Sequence, residues 1–304
     1  MTKLHRILTA VDFSEPARAA FDHALSLSRT YDAELLVVHA VPTDRRFNWH
    51  ARERLALIGA LRHAAQTAGV RFNVSVQHGD PAGVILLHAS ARRADLIVLG
   101  TSERSGSDRF RFGSVAEAVA VEATQPVLVV PAPNGVAGSL TPFKNILVAV
   151  DFNEGSSEAV ERALMMADGS SRVTVVHVVR GVPPEVDSRR VSHRMESEYQ
   201  RHLVRDAWRR ITETIPASAR ASRRVHARVV TGDPSTEIAR VAAQVDADLI
   251  LVGVTARGLI GRLIYGSTAA RVIRTAGVPV LILPPPVEQA IAPLSDEEQF
   301  AVAA

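Results

Sequence analysis

Two tandem α/β domains, each a five-stranded parallel sheet with helices on both faces, are predicted by three features of the chain. The sequence repeats itself: Ile7-Leu8-Thr9-Ala10-Val11-Asp12-Phe13 returns as Ile146-Leu147-Val148-Ala149-Val150-Asp151-Phe152, and Pro126-Val127-Leu128-Val129-Val130-Pro131 returns as Pro279-Val280-Leu281-Ile282-Leu283-Pro284. A period this long marks duplicated domains, not a stack of small repeats. Each copy alternates short β-branched apolar runs with longer stretches of helical period, the pattern of a parallel sheet buried on both faces. Finally, equivalent residues are offset by 139 at Asp12 and Asp151 but by 153 at Gly100 and Gly253, so the second copy carries a net insertion before its Thr231.

In the first copy, strands are expected near 5–11, 34–41, 70–77, 95–100 and 126–131. After Asp12, Ser14 is placed to cap a helix with Pro16 in its first turn, and Ala17, Ala20, Phe21, Ala24 and Leu25 share one face. Leu55 to Ala68, Ala82 to Arg93 and Ser114 to Ala123 supply three more helices, so the order is βαβαβαβαβ with right-handed crossovers. The second copy follows with strands near 145–151, 172–179, 224–231, 248–253 and 279–284. Its insertion lengthens the second helix, where Val191, Met195, Tyr199, Leu203, Ala207, Ile211 and Ile215 recur every four residues and read as core or interface. Domains at 1–132 and 145–286 are thus expected, joined by a linker at 133–144 that carries Pro133, Gly135, Gly138 and Pro142, with a tail at 287–304. The apolar last strands at Val127–Val130 and Val280–Leu283 would leave exposed edges unless one copy covers the other, which predicts an internal pseudo-dimer.

Composition narrows the function. With 304 residues, 47% hydrophobic and 22% charged, each half is long enough to bury its own core. The absence of cysteine excludes disulfides, thiolate zinc sites and Cys nucleophiles, and suits a reducing compartment. The opening residues lack a signal-like apolar run, and no apolar run approaches the ~18 residues of a membrane span. A cytoplasmic protein without membrane contact is expected. The net charge is only +3 and the arginines lie scattered among carboxylates, as in Arg92-Arg93 and Arg209-Arg210, so no nucleic-acid stripe is read.

Chemistry in such a fold belongs at the carboxyl ends of the strands. Asp12 and Asp151 each end a first strand; Gly100 and Gly253 each end a fourth and open a loop that runs to Gly113-Ser114 and Gly266-Ser267, just before a helix. A glycine-rich loop meeting a helix N-terminus offers free N–H groups, a hydroxyl and the helix dipole to an anion, and phosphate is the natural guest. Gly253-Val254-Thr255-Ala256-Arg257-Gly258 puts Leu259 where a Walker A motif has lysine, and no G-x-G-x-x-G follows a strand.

These residues resemble the universal stress protein family in a tandem two-domain form. The resemblance rests on Val11-Asp12-Phe13-Ser14, the Gly79-Asp80-Pro81 and Gly232-Asp233-Pro234 turns, Ala94-Asp95-Leu96-Ile97-Val98 with its second copy, and a loop whose Gly-Ser comes thirteen residues after its first glycine. It implies a Rossmann-like fold of the adenine nucleotide alpha hydrolase type, and in a subset of members ATP binding through Gly-x2-Gly-x9-Gly followed by Ser or Thr. Carried over by position, it implies that Ala149 and Asp151 meet the nucleoside and any magnesium, that Val178 reads adenine through its backbone, and that Gly253, Ala256, Arg257, Gly266, Ser267 and Thr268 surround the phosphates of ATP, ADP or AMP. The first copy's counterparts are Ala10, Asp12, Ala40, Gly100, Gly113, Ser114 and Val115.

Both copies depart at the motif's second glycine. Copy one has Glu103, a carboxylate that repels a triphosphate and a side chain that obstructs close approach; copy two has Ala256, one methyl larger, beside Arg257 and Arg262. The second cleft is therefore the expected nucleotide site.

Structural roles compete with these. Asp12 and Asp151 are also suited to cap the following helix, the two Gly-Asp-Pro turns read as helix starts, and His39 and His177 read as hydrogen-bonded structural histidines. No His spacing matches a metal motif, and no nucleophile elbow or catalytic lysine stands beside the loop. A non-enzymatic nucleotide-responsive regulator with an unknown protein partner is the first reading; a ligand-free dimerising scaffold is the second, and a slow ATPase the third.

Overall fold

Ten strands form one sheet in the order β3-β2-β1-β4-β5-β10-β9-β6-β7-β8. The structure, a computed structural model, describes residues 4–41, 51–101, 113–131, 143–153, 155–180, 193–253 and 267–284, and within these it leaves aside the side chains of 51–53, 193–197 and 267. The first repeat comprises β1 (Arg6–Ala10), α1 (Glu15–Tyr31), β2 (Glu34–Val41), α2 (Ala51–Thr67), β3 (Phe72–His78), α3 (Pro81–Ala91), β4 (Leu96–Gly100), α4 (Ser114–Glu122) and β5 (Val127–Val130). The second comprises β6 (Asn145–Ala149), α5 (Gly155–Met166), β7 (Arg172–Val179), α6 (His193–Thr214), the short α7 (Ala217–Arg220), β8 (Val225–Thr231), α8 (Pro234–Gln244), β9 (Leu249–Gly253), α9 (Ser267–Thr275) and β10 (Val280–Leu283). Pairing inside each repeat is parallel throughout.

Strand alternation places the core on both faces of this sheet. On one face, Ile7, Leu35, Val37, Leu96 and Val98 of the first repeat share a core with Phe21 of α1 and Leu61 of α2, and Ile146, Val148, Val173 and Leu249 of the second with Val160 of α5 and Ile211 of α6. On the other, Leu8, Leu36, Val38, Ile97 and Leu99 share a core with Ile85 of α3 and Val119 of α4, and Leu147, Val176 and Ile250 with Val241 of α8 and Val272 of α9. The repeats meet where β5 and β10, the expected cover for each other, pair antiparallel with Leu128 opposite Leu281. Both leucines are buried, so the pairing satisfies two edges and removes their aliphatic surface from water. Because the junction is antiparallel, the strand ends of the two repeats face opposite ways.

Local chemistry explains the element starts. Ser14 caps α1, accepting from the Ala17 amide at 3.3 Å. Asp80 caps α3 and Asp233 caps α8, each followed by a proline at the first helical position, so both Gly-Asp-Pro turns start helices as read. Asp95 and Asp248, the acidic residues before β4 and β9, tie the sheet together: Asp95 accepts from the His5 and Arg6 amides, Asp248 from those of Lys144 and Asn145.

Four details depart from expectation. α2 begins at Ala51, earlier than 55, and α7 had no clear signal in its four residues. Asp12 and Asp151 stand in loops beyond their strands, which end at Ala10 and Ala149. The four-residue stripe on α6 does not stay on one face: Ile211 and Ile215 are buried, yet Tyr199 is 56% exposed. A step of four overshoots the 3.6-residue turn by about 40°, so the stripe rotates off the core along the helix. Val191 lies outside the described residues.

Candidate functional site

Strand order reverses between β1 and β4 in the first repeat and between β6 and β9 in the second, which opens a crevice at each switch point. The second crevice is a cavity of about 600 Å³. After β6 the chain turns sharply at Phe152, whose φ of 63° lies in a region that side chains rarely adopt. Phe13 repeats it at 71°, so the turn is built into both copies.

This turn sets the second cleft's contents. The Asp151 carboxylate accepts from the Asn153 amide at 3.1 Å, the Asn153 Nδ2 at 2.6 Å and the Ser156 Oγ at 3.2 Å. His177 Nδ1 donates to the Val150 carbonyl at 2.8 Å, which fixes the tautomer and leaves Nε2 as the acceptor. Burial, with Arg210 adding to it, holds the imidazole below its ordinary pKa, against the opposing pull of the Val150 carbonyl and Asp151. The Phe152 ring stacks on the imidazole at 4.0 Å between centroids, and the Arg210 guanidinium lies over the Phe152 ring at 4.5 Å from its centroid.

Of the predicted second-cleft residues, Ala149, Asp151, Val178, Gly253 and Thr268 line this one cavity. Ser267 begins α9 at the same place. Ala256, Arg257 and Gly266 lie outside the described residues. Leu203, Asp206, Ala207 and Arg210 of α6 also line the cleft, and the sequence reading did not count them as site residues. They sit at i, i+3, i+4 and i+7, one helical face; Leu203 and Ala207 belong to the apolar stripe, where they read as core or interface, and the charged Asp206 and Arg210 fall outside a search for apolar periodicity. Arg180, at the end of β7, was missed for want of any motif.

The first cleft brings together all of its predicted residues: Ala10, Asp12, Ala40, Gly100, Gly113, Ser114 and Val115 line a cavity of about 700 Å³. Asp12 is not the helix cap; it braces the cap, accepting from the Ser14 amide at 3.1 Å and its Oγ at 2.5 Å. His39, buried, donates through Nδ1 to the Val11 carbonyl at 2.7 Å, and Phe13 meets it edge-on at 4.8 Å. Glu103 lies outside the described residues.

Volume does not separate the clefts; backbone approach at the fourth-strand glycine does. A Cβ on Gly100 would stand 2.3 Å from the Pro16 carbonyl oxygen and 2.9 Å from the Ala17 amide nitrogen, so the first turn of α1 already occupies the space above this glycine. A Cβ on Gly253 would meet no described atom within 4 Å. The residue equivalent to Pro16 in the second copy is Gly155.

The geometry defines a duplicated, doubly wound α/β protein with one crevice per repeat at its topological switch point. The chain belongs to the universal stress protein family, whose family model matches residues 3–131 and 142–284. A universal stress protein of Methanocaldococcus jannaschii is 31% identical over 140 residues, covering 42% of this chain and 82% of that protein. Another, of Bacillus subtilis, is 30% identical over 145 residues, covering 41% of this chain and 98% of that protein. Among solved structures, a universal stress protein from Archaeoglobus fulgidus matches with a TM-score of 0.68 at 20% identity over 93% of this chain and 99% of that one. A functionally unknown protein from Pseudomonas aeruginosa matches with a TM-score of 0.70 at 19% identity over 99% and 98%. These two likenesses establish the fold.

Proposed function

We propose that the chain is a non-enzymatic, nucleotide-responsive regulator of the stress response whose adenine-nucleotide site is the second cleft. The observation that supports this reading is that a Cβ on Gly253, beside the N-terminus of α9, would meet no described atom within 4 Å, set against the Pro16 and Ala17 backbone that a Cβ on Gly100 would meet. A glycine with no described atom over it at the mouth of a helix lets a phosphate approach backbone N–H groups that point outward with the helix dipole behind them.

The residues present fit a nucleotide. Ala149, Val178 and Ile238 offer an apolar wall to the base, Asp151 an acceptor to the ribose or to a magnesium ion, and Gly253 and Thr268 the phosphate end. Magnesium would arrive on the phosphates, because the described residues contain no cluster of three metal-ligating side chains. Bound, it would neutralise phosphate charge.

Turnover is a separate matter. Among the described residues no lysine lines the cleft, and the imidazole of His177 is committed through Nδ1. Holding a triphosphate in its ground state gives no acceleration without extra stabilisation of the transition state. Binding thus alters assembly or partner choice, with a regulatory protein or a second copy of the chain as the receiver. The scaffold reading keeps one specific support, the filled Gly100, and applies to the first domain. No described helix is long and apolar enough to cross a membrane, which fits a regulator at work in the cytoplasm.

Calorimetric titration with ATP, ADP and AMP, with and without magnesium, tests this. Heat from at least one nucleotide together with ATP turnover well below about 1 per second supports the reading. No heat from any of the three hands the function to the scaffold.

A further inference from the structure

Arg210 stands out among the groups around the second cleft because the fold orients it while no described carboxylate pairs with it. Its guanidinium lies 4.5 Å from the Phe152 centroid, and its Nη2 donates a long hydrogen bond of 3.5 Å to the Phe152 carbonyl, so the ring and one N–H hold the group while its remaining N–H donors are available to another acceptor. Phe152 is itself held by the turn at φ 63° and by the stack on His177. Among the described residues no carboxylate forms an ion pair with Arg210. Asp206, one turn earlier on α6, is taken by Arg209 at 2.5 Å. Arg180, a second cation on the cavity wall, is likewise without an ion pair among the described residues. A guanidinium oriented by an aromatic ring, with its fork open at the lip of a cavity, is arranged for a phosphate or carboxylate.

We propose that Arg210 is a specificity-determining residue of the second cleft: it binds a phosphate oxygen of the nucleotide from the α6 side, opposite the N-terminus of α9, and so selects phosphorylated over unphosphorylated ligands. This rests on the nucleotide reading of the cleft. The role is electrostatic, because the contacts to the Phe152 ring and carbonyl take one N–H of the guanidinium and leave its charge and remaining donors to the ligand.

The test titrates ATP and adenosine into the parent chain and into Arg210→Gln and Arg210→Lys, with unfolding midpoints of the free proteins alongside. In Arg210→Gln, ATP binding should weaken about tenfold or more, the scale of a charge-assisted hydrogen bond, while adenosine binding changes less than about twofold. Arg210→Lys should recover most of the ATP affinity, and raising the salt concentration should weaken ATP binding less in Arg210→Gln than in the parent. Unfolding midpoints should be unchanged. Equal losses for ATP and adenosine in Arg210→Gln would show a packing role and overturn the proposal, as would a variant that binds ATP like the parent. A parent chain that binds neither ligand defeats the nucleotide reading itself, and this inference with it.

Discussion

The two clefts are built from the same turn, the same histidine-to-carbonyl bond and the same strand order, yet they differ in the contact at the fourth-strand glycine. Above Gly100 the first turn of α1 lies against the strand end, with the Pro16 oxygen 2.3 Å from where a side chain would start; above Gly253 no described atom stands within 4 Å. The first glycine is a packing requirement of the chain, while the second meets no described neighbour. Identical motif letters therefore carry different packing: at Gly100 the glycine lets a helix fit against a strand, and at Gly253 no described atom requires one. The cavity volumes, about 700 Å³ and 600 Å³, run against the ranking and decide nothing.

The largest effect should come from giving both glycines a methyl group. Gly100→Ala forces backbone apart and should cost about 3 kcal/mol or more in unfolding free energy, whereas Gly253→Ala should leave stability within about 0.5 kcal/mol of the parent. Chemical denaturation of the two variants measures both, and similar losses would erase the distinction.

The aspartates come next. Asp151→Ala should weaken ATP binding about tenfold, with a larger loss in magnesium if the carboxylate acts through the metal. Asp12→Ala should leave ATP binding untouched and cost about 1 kcal/mol of stability, because it releases the Ser14 cap of α1. Titration and thermal melting, run on both variants, separate the roles.

Acid unfolding sharpens the comparison at the caps. Asp233 accepts from the Ser235 and Thr236 hydroxyls and the Thr236 amide, with Arg271 nearby, and its pKa is held at about 2. A depressed carboxylate contributes stability that is fully present above its unfolded value of about 3.9 and is lost as pH falls through the folded value. Asp233→Asn should thus remove a pH dependence confined to roughly pH 4 down to 2. Unfolding midpoints between pH 2 and 7 are the readout, and an Asp233→Asn variant with the same pH dependence as the parent would refute the assignment.

Glu103→Gly should have the smallest effect of all. The sequence blames this carboxylate for a poor first site, whereas the structure sets the Pro16 backbone against Gly100. If that close packing is what keeps a phosphate from the Gly100 backbone, removing the charge at 103 should not create a second ATP site, and a gain of one would restore the charge argument.

Much of this was readable from the chain. The strand runs, the caps at Ser14, Asp80 and Asp233, and the pairing of Val127–Val130 with Val280–Leu283 all follow from local pattern or edge chemistry. The histidines were read as structural, and both do bind backbone carbonyls. What escaped depends on distance in space. Nothing local tells that Arg210 lies over Phe152, because they are 58 residues apart. The proximity of Pro16 to Gly100 also arises from how α1 packs on β4, although the exchange of Pro16 for Gly155 between copies was a visible hint.

The most direct test of a single nucleotide site in the second cleft is calorimetric titration of ATP into Gly266→Val and Gly113→Val beside the parent chain. Each substitution puts a branched side chain at the glycine preceding the helix of its cleft. The account predicts one ATP per parent chain, retained in Gly113→Val and lost in Gly266→Val. Two ATP per chain, or loss in Gly113→Val with retention in Gly266→Val, would contradict it.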